Sequence, residues 1–449
     1  MDETIFRAYD IRGVYPSQVN EDMAYNLGRA FGTWIGNDGQ EFTTIGYDNR
    51  DSSENLFAAL SKGIMDSGID VINLGLVTTP MYYFSWHFFK SKSGIMITAS
   101  HNPKEYNGFK FSFNGQYNSH GQEIQDFKEL IKSKNFNSGK GTCKKVDIKE
   151  HYMDFLLKDV EIGNLDVVFD VGNGSGSIVI EDILKRLPIK YTPLFFESDP
   201  SFPNHHPDPS VPENLKDLSD KVLETGADVG FALDGDADRI GMVDELGNII
   251  EPDKLMIIVI RDILEKIKDK RILFDVKCSK ALEDEINKLG GIPVLSRTGN
   301  SYLRSAISKE NILFGGEFSG HIFFNDKFLG YDDGIYASLR LMEIISRKKV
   351  PVSSLLKGIN KYYSTEELKF KTEDSIKFSV IEKIKEVAEK EGLDVITLDG
   401  CKIIYEDGFA LIRASNTGPN LTARFEAVSN EKLEEIRRKW SENIEKLIN

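Results

Sequence analysis

The sequence predicts an α/β protein built from three domains of related topology, closed by a smaller C-terminal α+β domain. Three observations carry that reading. One unit recurs: a β-rich run ending in an acid, a polar loop, an amphipathic stretch and a second β-rich run. At 449 residues the chain exceeds what one hydrophobic core organises. The last segment abandons the unit and alternates short strand patterns with two amphipathic stretches. The implied boundaries are 1–148, 149–250, 251–362 and 363–449.

In order, Ile5 to Gly13 alternates and reads as an edge strand carrying Tyr9 and Arg12 into a loop. A helix is expected from about Asp22 to Trp34. The first unit follows, with a strand over Phe42–Tyr47, the loop Asp48-Asn49-Arg50-Asp51-Ser52-Ser53, a helix from near Glu54 and a strand over Val71–Leu76 leading to Thr78-Thr79-Pro80. The second has Val167–Asp170, a Gly-rich loop, a helix through Ile183-Leu184 and a strand over Tyr191–Phe196. The third has Arg271–Asp275, a helix to about Leu289 ended by Gly290-Gly291, and Pro293-Val294-Leu295. A helix is expected near Ser353 to Tyr362. Beyond it lie a partly alternating Glu366–Lys371, a helix over Val380–Lys390, and strands around 395–398, 401–406 and 409–412. Leu433, Ile436, Trp440, Ile444 and Leu447 form one apolar helix face, opened by Ser429-Asn430 and Glu431.

The net charge of −15 argues against a nucleic-acid or membrane-surface role. It leaves room for an anionic substrate, because local cations can outweigh the global field. Three cysteines, Cys143, Cys278 and Cys401, lack paired spacing, which fits a cytoplasmic protein and argues against a cysteine zinc site. Met1-Asp2-Glu3-Thr4 is acidic and predicts no signal peptide. The longest apolar run, Leu255–Ile260, is far too short to span a bilayer.

Four stretches carry chemistry. Thr98-Ala99-Ser100-His101-Asn102-Pro103 follows the apolar run Ile95-Met96-Ile97 and precedes a polar loop ending in Gly108-Phe109-Lys110. That places Ser100 at a strand end, with His101 and Lys110 near enough to share its site. Alone, the stretch reads first as a strand-to-turn connection with a capping serine. Asp234-Gly235-Asp236-Ala237-Asp238-Arg239 sits between strand patterns, and its three carboxylates at every second residue can converge on a hard cation such as magnesium. An EF-hand is the rival, with Glu245 at the twelfth place, but Arg239 stands where its turn needs glycine. Gly315-Gly316-Glu317-Phe318-Ser319-Gly320-His321 allows close backbone approach to a ligand, and Glu317 and Ser319 can bind adjacent hydroxyls. Asp332-Asp333-Gly334 is near enough to support that site. Arg413-Ala414-Ser415-Asn416-Thr417-Gly418-Pro419 offers a guanidinium, hydroxyls and loop N–H groups, a suitable phosphate cradle. Gly172 to Ser177 imitates a dinucleotide fingerprint, with Glu197 as ribose acid, but Ser177 replaces the third glycine.

In this order, the four stretches resemble the α-D-phosphohexomutase family, in its phosphomannomutase/phosphoglucomutase branch. Asn204-His205-His206-Pro207-Asp208-Pro209 and Tyr9-Asp10-Ile11-Arg12-Gly13 also look like that branch. The resemblance implies three mixed-sheet α/β domains and the smaller fourth around a central cleft. It implies that hexose 1-phosphate and hexose 6-phosphate, of mannose or glucose, are interconverted through phosphoserine at Ser100 and a bisphosphorylated hexose that also serves as primer. Asp234, Asp236 and Asp238 would hold magnesium, with phosphorylated Ser100 as a further ligand. Arg239 would lie beside the transferring group, and Lys110 is the candidate for proton transfer. Glu317 and Ser319 match residues that bind the hydroxyls on carbons 3 and 4. Arg413, Ser415, Asn416 and Thr417 match the cradle for the other phosphate, and Tyr9, Arg12, Lys277 and His321 match further ligand contacts. The expected partners are hexose phosphates, with no nucleic acid or membrane, for a monomer or homodimer.

One position departs from the branch, which usually has Thr-Gly-His where this chain has Thr298-Gly299-Asn300. Asn300 forms hydrogen bonds but cannot shuttle protons near neutrality. Phosphoglucosamine mutases resemble the chain less well, because Phe318 and Asn416-Thr417-Gly418 depart from that branch's loops. A non-catalytic sugar-phosphate binder would have little use for Ser100, Lys110 and three aspartates together.

Overall fold

The computed structural model describes residues 3–7, 10–373, 375–415 and 419–448. Four sheets organise them, and the first three repeat one topology. In the first, Asp70–Leu76, Phe42–Tyr47 and Gly94–Ile97 run parallel, and Tyr106–Ser112 returns antiparallel beside the last. The second repeats this with Lys190–Leu194, Asp166–Asp170, Val229–Leu233 and the returning Ile240–Asp244. The third does so with Ile292–Ser296, Arg271–Asp275, Phe314–Gly316 and the returning Ile322–Phe324. Each sheet is therefore mixed, and each contains a hairpin between a parallel strand and its antiparallel return. The stretches around Ser100, Asp234–Arg239 and Glu317–His321 are the connections of these three hairpins. Three sites that look unrelated in sequence are one topological position used three times.

The fourth sheet is wholly antiparallel. Strands Cys401–Tyr405, Gly408–Ala414 and Asn420–Ala427 form its centre, backed by helices Lys377–Lys390 and Asn430–Ile448. Leu433, Ile436, Trp440 and Ile444 are buried as the stripe predicts. This domain docks on the loop after Arg271–Asp275. Lys402 and Arg424 donate to the carbonyls of Val276 and Lys277 at 2.9 Å, and Glu426 accepts from the Lys280 N–H at 2.8 Å.

Several elements differ from expectation for identifiable reasons. Residues Glu3–Ile5 form a short 3-10 turn, and the edge strand is only Ile11–Val14. The stretch leading to Lys110 is strand Tyr106–Ser112, not loop, because every residue from Asn107 to Ser112 packs inside. The helix expected near Ser353 to Tyr362 is a 3-10 turn, Val352–Leu356. Pro351 precedes it and Gly358, at φ +77°, follows. Helix Thr79–Phe89 shows no apolar stripe, since all residues from Thr79 to Trp86 are buried. Thr78 caps it through Oγ1, which accepts from Met81 N at 3.2 Å, with Pro80 in the first turn. It enters the largest apolar core, where Tyr82 and Met96 of the first domain join Phe231 of the second and Phe274 of the third. Among the described residues, no helix is long and apolar enough to cross a membrane.

Candidate active site

Ser100 takes a left-handed backbone conformation, φ +50°, which costs a non-glycine residue about 1 kcal/mol. What holds it there is Arg50, from the loop after the neighbouring strand. This buried guanidinium donates to the carbonyls of Ser100, Asn102 and Pro103 at 2.7 Å each, to that of Tyr106 at 3.0 Å, and to Asp48 Oδ2 at 3.1 Å. Thr98 Oγ1 accepts from Ser100 N at 2.8 Å. So fixed, the Ser100 hydroxyl donates to Asp234 Oδ2 at 2.8 Å, across the boundary between two domains. The approach is close. A Cβ on Gly235 would meet the Ser100 carbonyl oxygen at 2.6 Å, so only glycine fits.

The three aspartates are fully buried. Asp234 Oδ1 accepts the N–H groups of Asp238 and Arg239 at 3.0 and 3.1 Å. Lys110 Nζ donates to Asp236 Oδ2 at 2.8 Å and Asp238 Oδ2 at 2.7 Å. Burial opposes that ammonium, yet Asp236 and Asp238 hold its pKa well above the ordinary lysine range. Burial and repulsion from Asp238 and Asp236 push the Asp234 carboxyl well up, and Asp238 is raised as well. Asp236 moves the other way: burial opposes its charge, and the Lys110 ammonium overrides burial. Thr79 and Thr98 add hydrogen bonds to Asp236 Oδ2 at 2.6 and 3.3 Å.

This donor set fits a hard divalent cation. Oxygens of the three carboxylates lie within 4.8 Å of one another. Asp236 Oδ1 and Asp238 Oδ1 are buried without a hydrogen-bond partner, while each residue's second oxygen is committed to Lys110. Two orphaned carboxylate oxygens beside the Ser100 hydroxyl are what a cation taking oxygen ligands requires.

The third hairpin faces these two. Glu317 Oε1 accepts from Gly299 N at 2.5 Å, and Ser319 Oγ lies 3.5 Å from Glu317 Oε2. Burial pushes the Glu317 carboxyl up to about 7. His321 Nε2 accepts from Arg239 Nε at 3.0 Å, and Nδ1 lies 2.8 Å from Asp332 Oδ2. Burial opposes charge on this imidazole, yet Asp238, whose Oδ1 lies 3.5 Å from Nδ1, and Asp332 raise its pKa. Asn300 Nδ2 donates to the same Asp332 oxygen at 2.9 Å. By contrast, burial and the nearby Arg239 push the His101 imidazole well below its ordinary range, although its Nδ1 is 3.2 Å from Ser100 Oγ.

Between the loops lies a cavity of about 450 Å³. Of the residues predicted from sequence, Arg12, Ser100 and Lys110 line it from the first domain, and Arg239 from the second. Lys277, Glu317, Ser319 and His321 line it from the third. The fourth domain contributes Glu367, which pairs with Lys277 at 2.7 Å. Arg413 and Ser415 do not line the cavity. Arg413 pairs with Asp399 at 2.8 Å, and Asp399 also accepts from Thr298 N at 2.9 Å. Tyr9, Asn416 and Thr417 lie outside the described residues. Sequence reading missed Arg50 and Asp399. Arg50 left a signal in Asp48-Asn49-Arg50 at a strand's carboxyl end, whereas Asp399 left none.

Comparison with known proteins covers the whole chain. Residues 3–138, 150–247, 251–362 and 367–442 match in turn the family models described as phosphoglucomutase/phosphomannomutase alpha/beta/alpha domains I, II and III and the C-terminal domain. A phosphomannomutase/phosphoglucomutase of Pseudomonas syringae pv. tomato is 40% identical over 99% of this chain and 96% of its own length. A phosphoglucomutase of Neisseria gonorrhoeae is 40% identical over 98% of this chain and 96% of its own. The crystal structure of a phosphoglucomutase/phosphomannomutase family protein from Burkholderia thailandensis superposes with a TM-score of 0.93 at 36% identity, covering 100% of this chain and 98% of that one.

Proposed function

The chain belongs to the phosphoglucomutase/phosphomannomutase family and is a hexose phosphate mutase, an isomerase, and from that premise we propose that its cleft interconverts hexose 1-phosphate and hexose 6-phosphate, of mannose and glucose, through phosphorylated Ser100. The observation that carries the reading is the Ser100 hydroxyl, held in a strained loop and hydrogen-bonded to Asp234 where hairpins of two domains meet.

In the forward half-reaction the sugar's free hydroxyl oxygen bonds to phosphorus as the bond from phosphorus to Ser100 Oγ breaks, giving the bisphosphorylated sugar. The sugar turns end for end, and Ser100 Oγ takes the other phosphoryl group. Asp234, Asp236 and Asp238 are the residues that would hold magnesium. Bound there, the ion would neutralise charge on the phosphoryl oxygens, the main requirement of such a transfer. Lys110 and Arg239 add fixed positive charge beside Ser100. Glu317 and Ser319 receive hydroxyls on carbons 3 and 4, so mannose and glucose, which differ at carbon 2, are both accepted. A coupled assay on mannose, glucose and glucosamine 1-phosphates, with magnesium and glucose 1,6-bisphosphate, tests this. Turnover of the first two is expected; turnover of glucosamine 1-phosphate alone would refute it.

The hydroxyl proton needs an acceptor. Sequence favoured Lys110, but its Nζ already donates to both Asp236 and Asp238. His321 is the other candidate: Asp332 lies 2.8 Å from its Nδ1, and its Nε2, which accepts from Arg239 in the cleft, becomes free for the sugar hydroxyl once Arg239 turns to the phosphoryl group. Asn300 then serves as a positioning residue for Asp332 and needs no proton chemistry of its own. His321→Asn should lower kcat by roughly 100-fold or more, whereas Lys110→Arg, which keeps the charge, should lower it less. The reverse order would return the role to Lys110.

A further inference from the structure

We propose that a second cavity, between the first and third domains, binds a small oxyanion through Arg304. The cavity holds about 290 Å³ and shares no lining residue with the catalytic cleft. Arg304 is 4% exposed, and its guanidinium carbon lies over the rings of Tyr83 at 3.8 Å, Trp86 at 4.7 Å and Tyr331 at 5.4 Å. Nη1 is buried without a hydrogen-bond partner, and among the described residues no carboxylate lies within ion-pair distance of this side chain.

That is an incomplete arrangement for a buried charge. Ring faces stabilise a guanidinium from above and below, but they leave its in-plane N–H edge unsatisfied. Two other buried arginines have terminal nitrogens that meet acceptors. Arg50 has four carbonyls and Asp48, and Arg340 has Asp326. Arg304 has the stacking and lacks the acceptors, in a cavity whose lining contains no Asp or Glu. Its planar fork matches the two oxygens of a carboxylate or phosphate. The remaining walls suit a small organic body: Ile307 and Leu329 are apolar, while Gln116 and Ser308, from the two domains, meet at 3.3 Å. Tyr331 Oη, also buried without a partner, offers one more donor.

The shared ligand chemistry is a small oxyanion, and two probes separate its sources. Isothermal titration would use the full chain in EDTA, with the catalytic cleft filled by glucose 1,6-bisphosphate. Inorganic phosphate stands for a phosphate ester and benzoate for a carboxylic acid. Binding of either at one site is expected, and the tighter probe names the class. Arg304→Lys keeps the charge but loses the fork, and should weaken binding roughly tenfold. Ser308→Tyr, at an exposed position on the rim, should abolish it without touching the core. Absence of binding by both probes, or affinities unchanged in both variants, would overturn the proposal.

Discussion

Ser100→Ala should lower mutase turnover by roughly three orders of magnitude or more, because Ser100 is the hydroxyl held against the carboxylate cluster where the phosphoryl group is carried. The substitution is structurally mild. Alanine meets the same left-handed conformation that serine already occupies, and the Arg50 hydrogen bonds to the loop's carbonyls do not involve the side chain. The main structural loss is the donor to Asp234 Oδ2, which costs about 1–3 kcal/mol when a buried acceptor is left unmatched. A cation bound at Asp234 would restore a partner and reduce that cost. Two measurements therefore separate chemistry from folding. The coupled assay should fall to background while thermal unfolding stays cooperative. Intact mass should show one phosphoryl increment on the wild-type protein after incubation with glucose 1,6-bisphosphate, and none on the variant. A variant retaining full activity would remove Ser100 from the mechanism.

Much of the candidate site was legible because its chemistry is local. Asp234, Asp236 and Asp238 are alternate residues in one hairpin connection, and Glu317, Ser319 and His321 alternate likewise in another. Each set falls within one short turn, so closing that turn is enough to bring its side chains together. The repeated unit was legible for a related reason: a buried strand, an acid and an amphipathic helix make a pattern within one segment. What stayed hidden was partnership across segments. Arg50 was visible only as one polar residue in a loop, since the carbonyls it satisfies belong to a segment some fifty positions away. Asp332 was noted merely as a nearby acid, although it joins His321 to Asn300. Helix Thr79–Phe89 escaped because periodicity detects a boundary between core and solvent, and this helix has core on every side. The same limit explains Lys110. Its sequence position placed it near Ser100, while the carboxylates it meets, Asp236 and Asp238, lie in another domain.

Those carboxylates set up the second large effect. Asp238→Asn should lower kcat/KM by roughly 100-fold or more and weaken magnesium binding to a similar degree. Asp238 is the cleaner choice for substitution. Asp236 also ties Thr79 and Thr98 across the domain boundary, whereas Asp238 Oδ2 is engaged by Lys110 alone and its Oδ1 only lies 3.5 Å from His321 Nδ1. Without metal, three buried carboxylates face the single ammonium of Lys110, with Arg239 at 4.0 Å from Asp234. Burial first and mutual repulsion after it raise Asp234 and Asp238 in pKa, so replacing one of these charges with a neutral amide should leave the metal-free variant at least as stable as the wild type. The metal-dependent increment should behave oppositely. A ligand at one hundred times its Kd stabilises the folded state by about 2.7 kcal/mol, and a hundredfold weaker site leaves only a few tenths at the same concentration. Thermal unfolding with and without magnesium therefore gives a readout independent of catalysis: a clear upward shift for the wild type, almost none for Asp238→Asn, and equal or higher stability of the variant in EDTA. A variant that keeps the full magnesium-dependent shift would show that the orphaned oxygens of Asp236 and Asp238 do not hold the ion.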